Sequence, residues 1–152
     1  MRVVLQRVLD AQVEVEGKVV GKIDKGFVVF LGISQRDNEK DLEYLVKKVC
    51  GLRIFEDENE KMNLSPSQVG AEMLVISNFT LYANTTHGFR PDFIESMRPE
   101  GAKILVDKFV DTCSQTGAFK KIQTGIFGAD MKVSVTNDGP ITIIIDSKEN
   151  TK

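Results

Sequence analysis

Tryptophan is absent from the 152 residues, histidine occurs once and cysteine twice. These scarcities exclude several chemistries. A zinc site takes three or four His, Cys or carboxylate ligands, and Cys50, Cys113 and the lone His87 have no customary ligand spacing. Each cysteine falls on or beside the apolar side of a helical pattern, so buried free thiols are expected rather than a disulfide. No GxxxxGK[ST] or GxGxxG segment occurs, which argues against dedicated nucleoside-triphosphate or dinucleotide chemistry. Neither a metal nor a cofactor is expected. No apolar run approaches the ~18 residues a membrane span needs. Residues 1–17 carry an early charge followed by apolar residues, but Gln6, Arg7 and Asp10 interrupt them and no small-residue cleavage site follows. A signal peptide is therefore not expected, and the chain is read as cytoplasmic. The net charge of −2 is too acidic for a protein that grips duplex nucleic acid mainly through phosphates, so DNA is not an expected partner. It leaves room for a partner held locally.

What is present reads as one domain over residues 1–147, with 148–152 a frayed polar tail. Residues 3–9 are mostly apolar, and Ala11, Val13 and Val15 then alternate with polar residues at the period of a strand. A turn at Gly17-Lys18 returns the chain through residues 19–23 as a hairpin. Residues 27–33 form an apolar run suited to a strand covered on both faces. Leu42, Leu45, Val46, Val49 and Leu52 recur at helical spacing, with Asp37 or Asn38 as cap. Residues 56–70 read as surface loop, 72–80 as another strand, and 82–99 as irregular. Ala102, Leu105, Val106, Phe109, Val110 and Cys113 mark a second helix, opened by Pro99 and closed by Gly117. Met131, Val133 and Val135, then Ile141, Ile143 and Ile145, read as two strands joined by a tight turn at 137–140. The element order predicts an α+β fold with a mainly antiparallel, strongly twisted, barrel-like sheet and two helices packed on it.

Two segments carry residue types that packing alone does not call for. Ser77-Asn78-Phe79-Thr80 converts an apolar strand into two hydroxyls and an amide. It reads either as a strand end whose side chains satisfy nearby backbone or as a site. A conventional hydrolase triad there would need His87 as base. Asn137-Asp138-Gly139-Pro140 reads first as a hairpin turn, although Pro140 cannot donate to a ladder and restricts Gly139.

Together these segments resemble the paired signatures of the D-aminoacyl-tRNA (D-tyrosyl-tRNA) deacylase family, Ser-Gln-Phe-Thr-Leu and Asn-x-Gly-Pro-Val/Ile-Thr. Gln6-Arg7-Val8 resembles the family's opening strand, Gly88-Phe89-Arg90-Pro91 its mid-chain loop, and 124–131 its penultimate turn. The likeness runs in order over roughly residues 1–147. It implies hydrolysis of the ester joining a D-amino acid, or misplaced glycine, to tRNA. It also implies a homodimer in which Gly139 and Pro140 of one subunit, with a cis bond between them, enter the other's active site. There their carbonyls would face the substrate's ammonium while rigid backbone fills the space of an L side chain. By the same resemblance, backbone N–H groups of Ser77, Asn78, Phe79 and Thr80 act on the ester carbonyl, and a ribose hydroxyl of the RNA assists. Phe127 and Met131 pack around the terminal adenine, and Arg7 braces the Gly-Pro element. Position 78 departs from the pattern, because Asn78 stands where the family has Gln and is one methylene shorter.

Overall fold

A single long strand organises the sheet. In the computed structural model, which describes residues 1–149, strand β1 (Arg2–Val15) is paired along both edges. One edge carries β2 (Lys18–Ile23) and β3 (Gly26–Gly32), both antiparallel. The other carries β8 (Lys132–Asp146), antiparallel from Arg2 opposite Asp146 to Glu14 opposite Lys132. Outward from β3 the pairing turns parallel, first to β6 (Glu72–Ser77) and then to β7 (Lys121–Thr124). The sheet is thus antiparallel around β1 and parallel on its far side.

Parallel neighbours require a crossover, and each crossover here contains a helix. Between β3 and β6 lie α1 (Glu39–Gly51), a small hairpin of β4 (Phe55–Glu56) and β5 (Met62–Leu64), and the one-turn helix α2 (Pro66–Val69). The hairpin and α2 correct the expectation of a plain loop over 56–70. Asp57 closes the hairpin by accepting the N–H groups of Asn59 and Lys61. Between β6 and β7 lie a 3-10 turn (Phe79–Tyr82) and α3 (Pro99–Thr116), which ends on Gly117 in the left-handed region.

The C-terminal hairpin expected from the sequence does not form. Both alternating arms, from Lys132 onward in the first and 141–145 in the second, belong to β8, and both pair with β1. Because β1 offers a partner along its whole length, the intervening residues are absorbed as an irregularity at Arg7–Leu9 instead of reversing the chain.

Alternation along the strands divides the core. Val3 and Leu5 of β1, Phe27, Val29 and Leu31 of β3, and Met73 and Val75 of β6 face the helices and pack with Leu45, Val49, Phe109 and Cys113. Val8 and Val13, Val28, and Leu74 and Ile76 point to the opposite face and form a second cluster inside the curved sheet. That curvature brings β2 against β7, so that the sheet almost closes into a barrel. A Cβ at Gly21 would lie 2.7 Å from the Thr124 carbonyl oxygen, and only glycine permits the approach. Cys50 and Cys113 are free thiols that meet between α1 and α3.

A polar network ties the ends of the fold together. Asn38 caps α1, and Asp41 completes the capping box by accepting the Asn38 N–H at 2.9 Å. The Asp41 carboxylate also accepts from the Ser147 hydroxyl at 2.7 Å and from the Lys148 ammonium at 3.0 Å. Of the tail expected to fray, Lys148 is therefore held, and residues 150–152 lie outside the described residues. Burial raises the Asp41 carboxyl. Hydrogen bonds from Ser147, the Asn38 N–H and Lys148 outweigh it and leave the carboxyl below its ordinary value of 3.8. A carboxylate depressed in the folded state stabilises fully above its unfolded-state value, and that contribution is lost as pH falls through the folded-state value. Asp41→Asn is expected to lower stability at pH 7 by about 2 kcal/mol. Its deficit against wild type should shrink at pH 3, as read from urea unfolding midpoints.

Candidate active site

β6 leaves the core at one defined point. Leu74, Val75 and Ile76 are buried, Ser77 and Asn78 are half-buried, and Phe79 and Thr80 are exposed. The Asn78 N–H completes the parallel ladder by donating to the Leu31 carbonyl at 2.8 Å. Its side chain then turns forward, and Oδ1 accepts from the Thr80 N–H at 3.2 Å and from the Thr80 hydroxyl at 2.5 Å. This local ring starts the 3-10 turn, a geometry that asparagine reaches readily.

Arg2 fastens the far end of the turn. Its Nη1 donates to the Leu81 carbonyl at 2.8 Å, its Nε pairs with Asp146 at 2.8 Å, and its guanidinium lies 4.8 Å from the centre of the Tyr82 ring. The phenol of Tyr82 is pushed up in pKa by burial and by the Asp37 and Asp146 carboxylates. It stays neutral as a packing element. The turn is thus clamped from β1 and from the end of β8.

The turn forms one lip of a cleft of about 800 Å³. Phe30 and Ile76 contribute from the sheet, Pro99, Ala102 and Val106 from the first turns of α3, and 127–131 from the segment before β8. Phe79 packs edge-on against Phe93 with ring centres 5.1 Å apart, and the Ser96 hydroxyl donates to the Phe79 carbonyl at 3.0 Å. Phe79 nevertheless remains 59% exposed and presents an apolar ring at the mouth. An apolar slot with a polar edge suits a flat ring carrying a polar tail.

Six of the residues singled out from the sequence therefore meet here: Ser77, Asn78, Phe79 and Thr80 on one side, Phe127 and Met131 on another. Sequence reasoning does not single out Phe30 or Phe93. Phe30 sits in a run apolar on both faces, where no period marks the residue that opens onto a cavity. Phe93 lies in an irregular segment.

Thr80 differs from expectation. Its N–H and its hydroxyl are both directed to Asn78, so neither stands ready for a substrate. An amide oxygen is no base for the Thr80 proton, and His87 is not among the residues lining the cleft. Among the described residues, no three His, Cys, Asp or Glu side chains gather so as to hold a metal ion.

The remaining three residues lie elsewhere. Gly139 and Pro140 are exposed on β8, joined by a cis peptide bond, with Gly139 at φ 125°. The Asn137 amide secures the irregular segment by donating to the carbonyls of Arg7 at 3.0 Å and Ile141 at 2.9 Å. Buried Arg7 donates to the Ile54 carbonyl at 2.8 Å, and its Nε lies 3.1 Å from Asp138 as an ion pair whose N–H is not aimed for a hydrogen bond. Arg7 thus touches the residue preceding the Gly-Pro pair. Ser77 neighbours Leu31, which stands opposite Val3, whereas the Gly-Pro pair lies near Arg7. Three strand spacings and four residues along β1 separate them, on the order of 20 Å. Within one copy of the chain the two signatures do not meet.

A family model described as D-Tyr-tRNA(Tyr) deacylase matches residues 4–146. The D-aminoacyl-tRNA deacylase of Thermosipho africanus is 50% identical over 149 residues, covering 98% of this chain and 99% of that protein. A D-aminoacyl-tRNA deacylase of Clostridium botulinum is 51% identical with the same coverage. Among solved structures, the c-Myc DNA Unwinding Element Binding Protein superimposes with a TM-score of 0.91 at 39% identity, over 96% of this chain and 98% of that one. A probable eukaryotic D-amino acid tRNA deacylase reaches a TM-score of 0.80 over 95% of this chain and 98% of that one, and at 17% identity it speaks to the fold alone. The match to the family model over nearly the whole chain and the half-identical relatives agree: the chain belongs to the D-Tyr-tRNA(Tyr) deacylase family.

Proposed function

We propose that the cleft beside residues 77–80 receives the 3′-terminal aminoacyl-adenosine of a D-aminoacyl-tRNA and that the chain hydrolyses its ester there. The chain is an aminoacyl-tRNA hydrolase by family, and the cellular role that follows is chiral proofreading in translation, in the cytoplasm. One observation carries the placement: two segments far apart in sequence, 77–80 and 127–131, line the same cleft.

In this reading the adenine lies against Phe127 and Met131, and the ester carbonyl lies by the 3-10 turn. The Phe79 N–H, first in that turn, has no intrahelical acceptor and is the donor for the developing oxyanion. Water adds to the carbonyl carbon, aided by the neighbouring ribose hydroxyl. The tetrahedral adduct then collapses by expelling the ribose 3′-oxygen, which takes up a proton to give free tRNA and the amino acid. Thr80 and Asn78 hold the turn in shape instead of entering the reaction. Relevant to DNA, which the name of one structural neighbour concerns, the net charge of −2 does not favour duplex binding.

Chirality is the work of Gly139 and Pro140 from a second copy. The support is geometric, since the pair is exposed and too distant to serve the cleft of its own chain. The outer edge of β8 also has no partner strand among the described residues, and it carries Ile144 at 67% exposure. A long open edge with an apolar side chain invites a second copy in a two-fold arrangement. Carbonyl groups fixed there would orient the substrate's ammonium, and the backbone itself would exclude an L side chain. Glycine has no side chain to exclude, so glycyl-tRNA is also hydrolysed. Arg7, paired with Asp138, keeps the element in position.

Three outcomes are expected. Side by side, D-Tyr-tRNA should be deacylated at least ~100-fold faster than L-Tyr-tRNA, and equal rates would remove the chirality assignment. Thr80→Ala should retain turnover within roughly tenfold of wild type, whereas a covalent threonine mechanism would lose it entirely. Sedimentation equilibrium should return twice the chain mass, and a strict monomer would contradict the role given to Gly139 and Pro140.

A further inference from the structure

Among the described residues, the most exposed large apolar side chain is Phe89, at 107% exposure. It stands at the tip of a loop whose ends are joined by reciprocal backbone bonds between Asn84 and Asp92, at 2.9 and 3.0 Å. The loop holds its own shape without the ring. Asn84 Oδ1 accepts the Thr86 N–H at 3.0 Å and its hydroxyl at 2.6 Å, Asn84 Nδ2 donates to Asp92 Oδ2 at 3.2 Å, and Asp92 Oδ1 accepts the Ile94 N–H at 3.2 Å. Phe89 therefore contributes nothing to core or loop closure, and its exposure calls for another partner.

Two features identify that partner's chemistry. The first is continuity with the cleft. The residue after Asp92 is Phe93, which packs on Phe79 and lines the cleft together with Ser96 and Arg98. The second is composition. In a chain of net charge −2, this loop places exposed His87 and Arg90 around an exposed aromatic ring, while its one carboxylate, Asp92, is engaged internally. A bare ring beside an arginine and a histidine is an arrangement that stacks on unpaired bases, with the arginine steadying an adjoining phosphate.

We propose that the Phe89 loop is a second contact for the RNA, on which an unpaired nucleotide immediately 5′ of the terminal adenosine stacks as the strand leaves the cleft. This rests on the reading of the cleft as the aminoacyl-adenosine site. Phe89 and Arg90 then contribute to binding the tRNA and not to the chemistry on the ester.

The test compares two substrates, D-Tyr-tRNA and 3′-O-D-tyrosyl-adenosine, which lacks the preceding nucleotides. Phe89→Ala should raise KM for D-Tyr-tRNA roughly tenfold at unchanged kcat, as for a lost base stack, and should leave kcat/KM for the short substrate unaltered. Phe89→Trp should retain wild-type KM. Arg90→Ala should weaken tRNA binding and flatten its salt dependence. An unchanged KM for D-Tyr-tRNA in Phe89→Ala, or an equal loss on both substrates, overturns the inference while leaving the deacylase reading intact. A shift of Phe89→Ala toward monomer in sedimentation also overturns it, because the ring would then be covered by a second copy. If wild type turns over neither substrate, the deacylase reading fails and this inference falls with it.

Discussion

A strand in the middle of a sheet must satisfy backbone donors and acceptors on both edges, and the fourteen residues of β1 do so along nearly their whole length. That requirement fixes where everything else stands. Pairing of β3 against residues 2–8 sets the level at which β6 runs beside it and hence the point at which Ser77 leaves the core. Pairing of β8 along the other edge sets the level of Gly139 and Pro140. The two levels differ, and the two edges of β1 face apart. The separation of the two signatures within one chain is thus a consequence of strand register, and it is the physical ground of our proposal that the Gly-Pro pair serves another copy's cleft.

The site itself depends on a short turn held from outside. A 3-10 turn has poor intrinsic hydrogen bonding and few residues, so its geometry needs external anchors. Arg2 supplies them by linking the Leu81 carbonyl, the Tyr82 ring and Asp146 at the end of β8. At the other end the Asn78 side chain occupies both polar groups of Thr80. Position 78 is the one at which the chain departs from the family pattern, with asparagine in place of glutamine. The Asn78 amide reaches its own backbone two residues ahead. Of the residues lining the cleft, Phe30, Phe79, Phe93 and Phe127 are aromatic, and Arg98 and Asp130 are charged.

Much of this was legible in the residues. The two main helices follow from apolar spacing at 42–52 and 102–113, and their caps from Asn38, Pro99 and Gly117. Six residues of the cleft, Ser77, Asn78, Phe79, Thr80, Phe127 and Met131, were recognisable from the family resemblance. Other features were not. β7 is four residues long, and the β4–β5 hairpin is shorter still per strand, so neither is long enough to display a period. The parallel pairings of β3 with β6 and β6 with β7 leave no local mark, since pairing direction depends on how the chain crosses over.

The C-terminal third draws the boundary most clearly. Alternation at 131–135 and at 141–145 determined that both stretches are extended, and Asn-Asp-Gly-Pro determined that regular pairing breaks between them. Whether the break reverses the chain or only buckles it was decided by β1, because one long partner offers ladder bonds to both arms and so favours a continuous strand over a turn. By itself the sequence determined which segments are helix or strand and which residue types the site holds, since these depend on neighbours a few positions away. Which of those residues share a cleft, and which stand apart from it, was settled only by tertiary structure, because register and curvature are properties of strands that meet across the whole length of the chain.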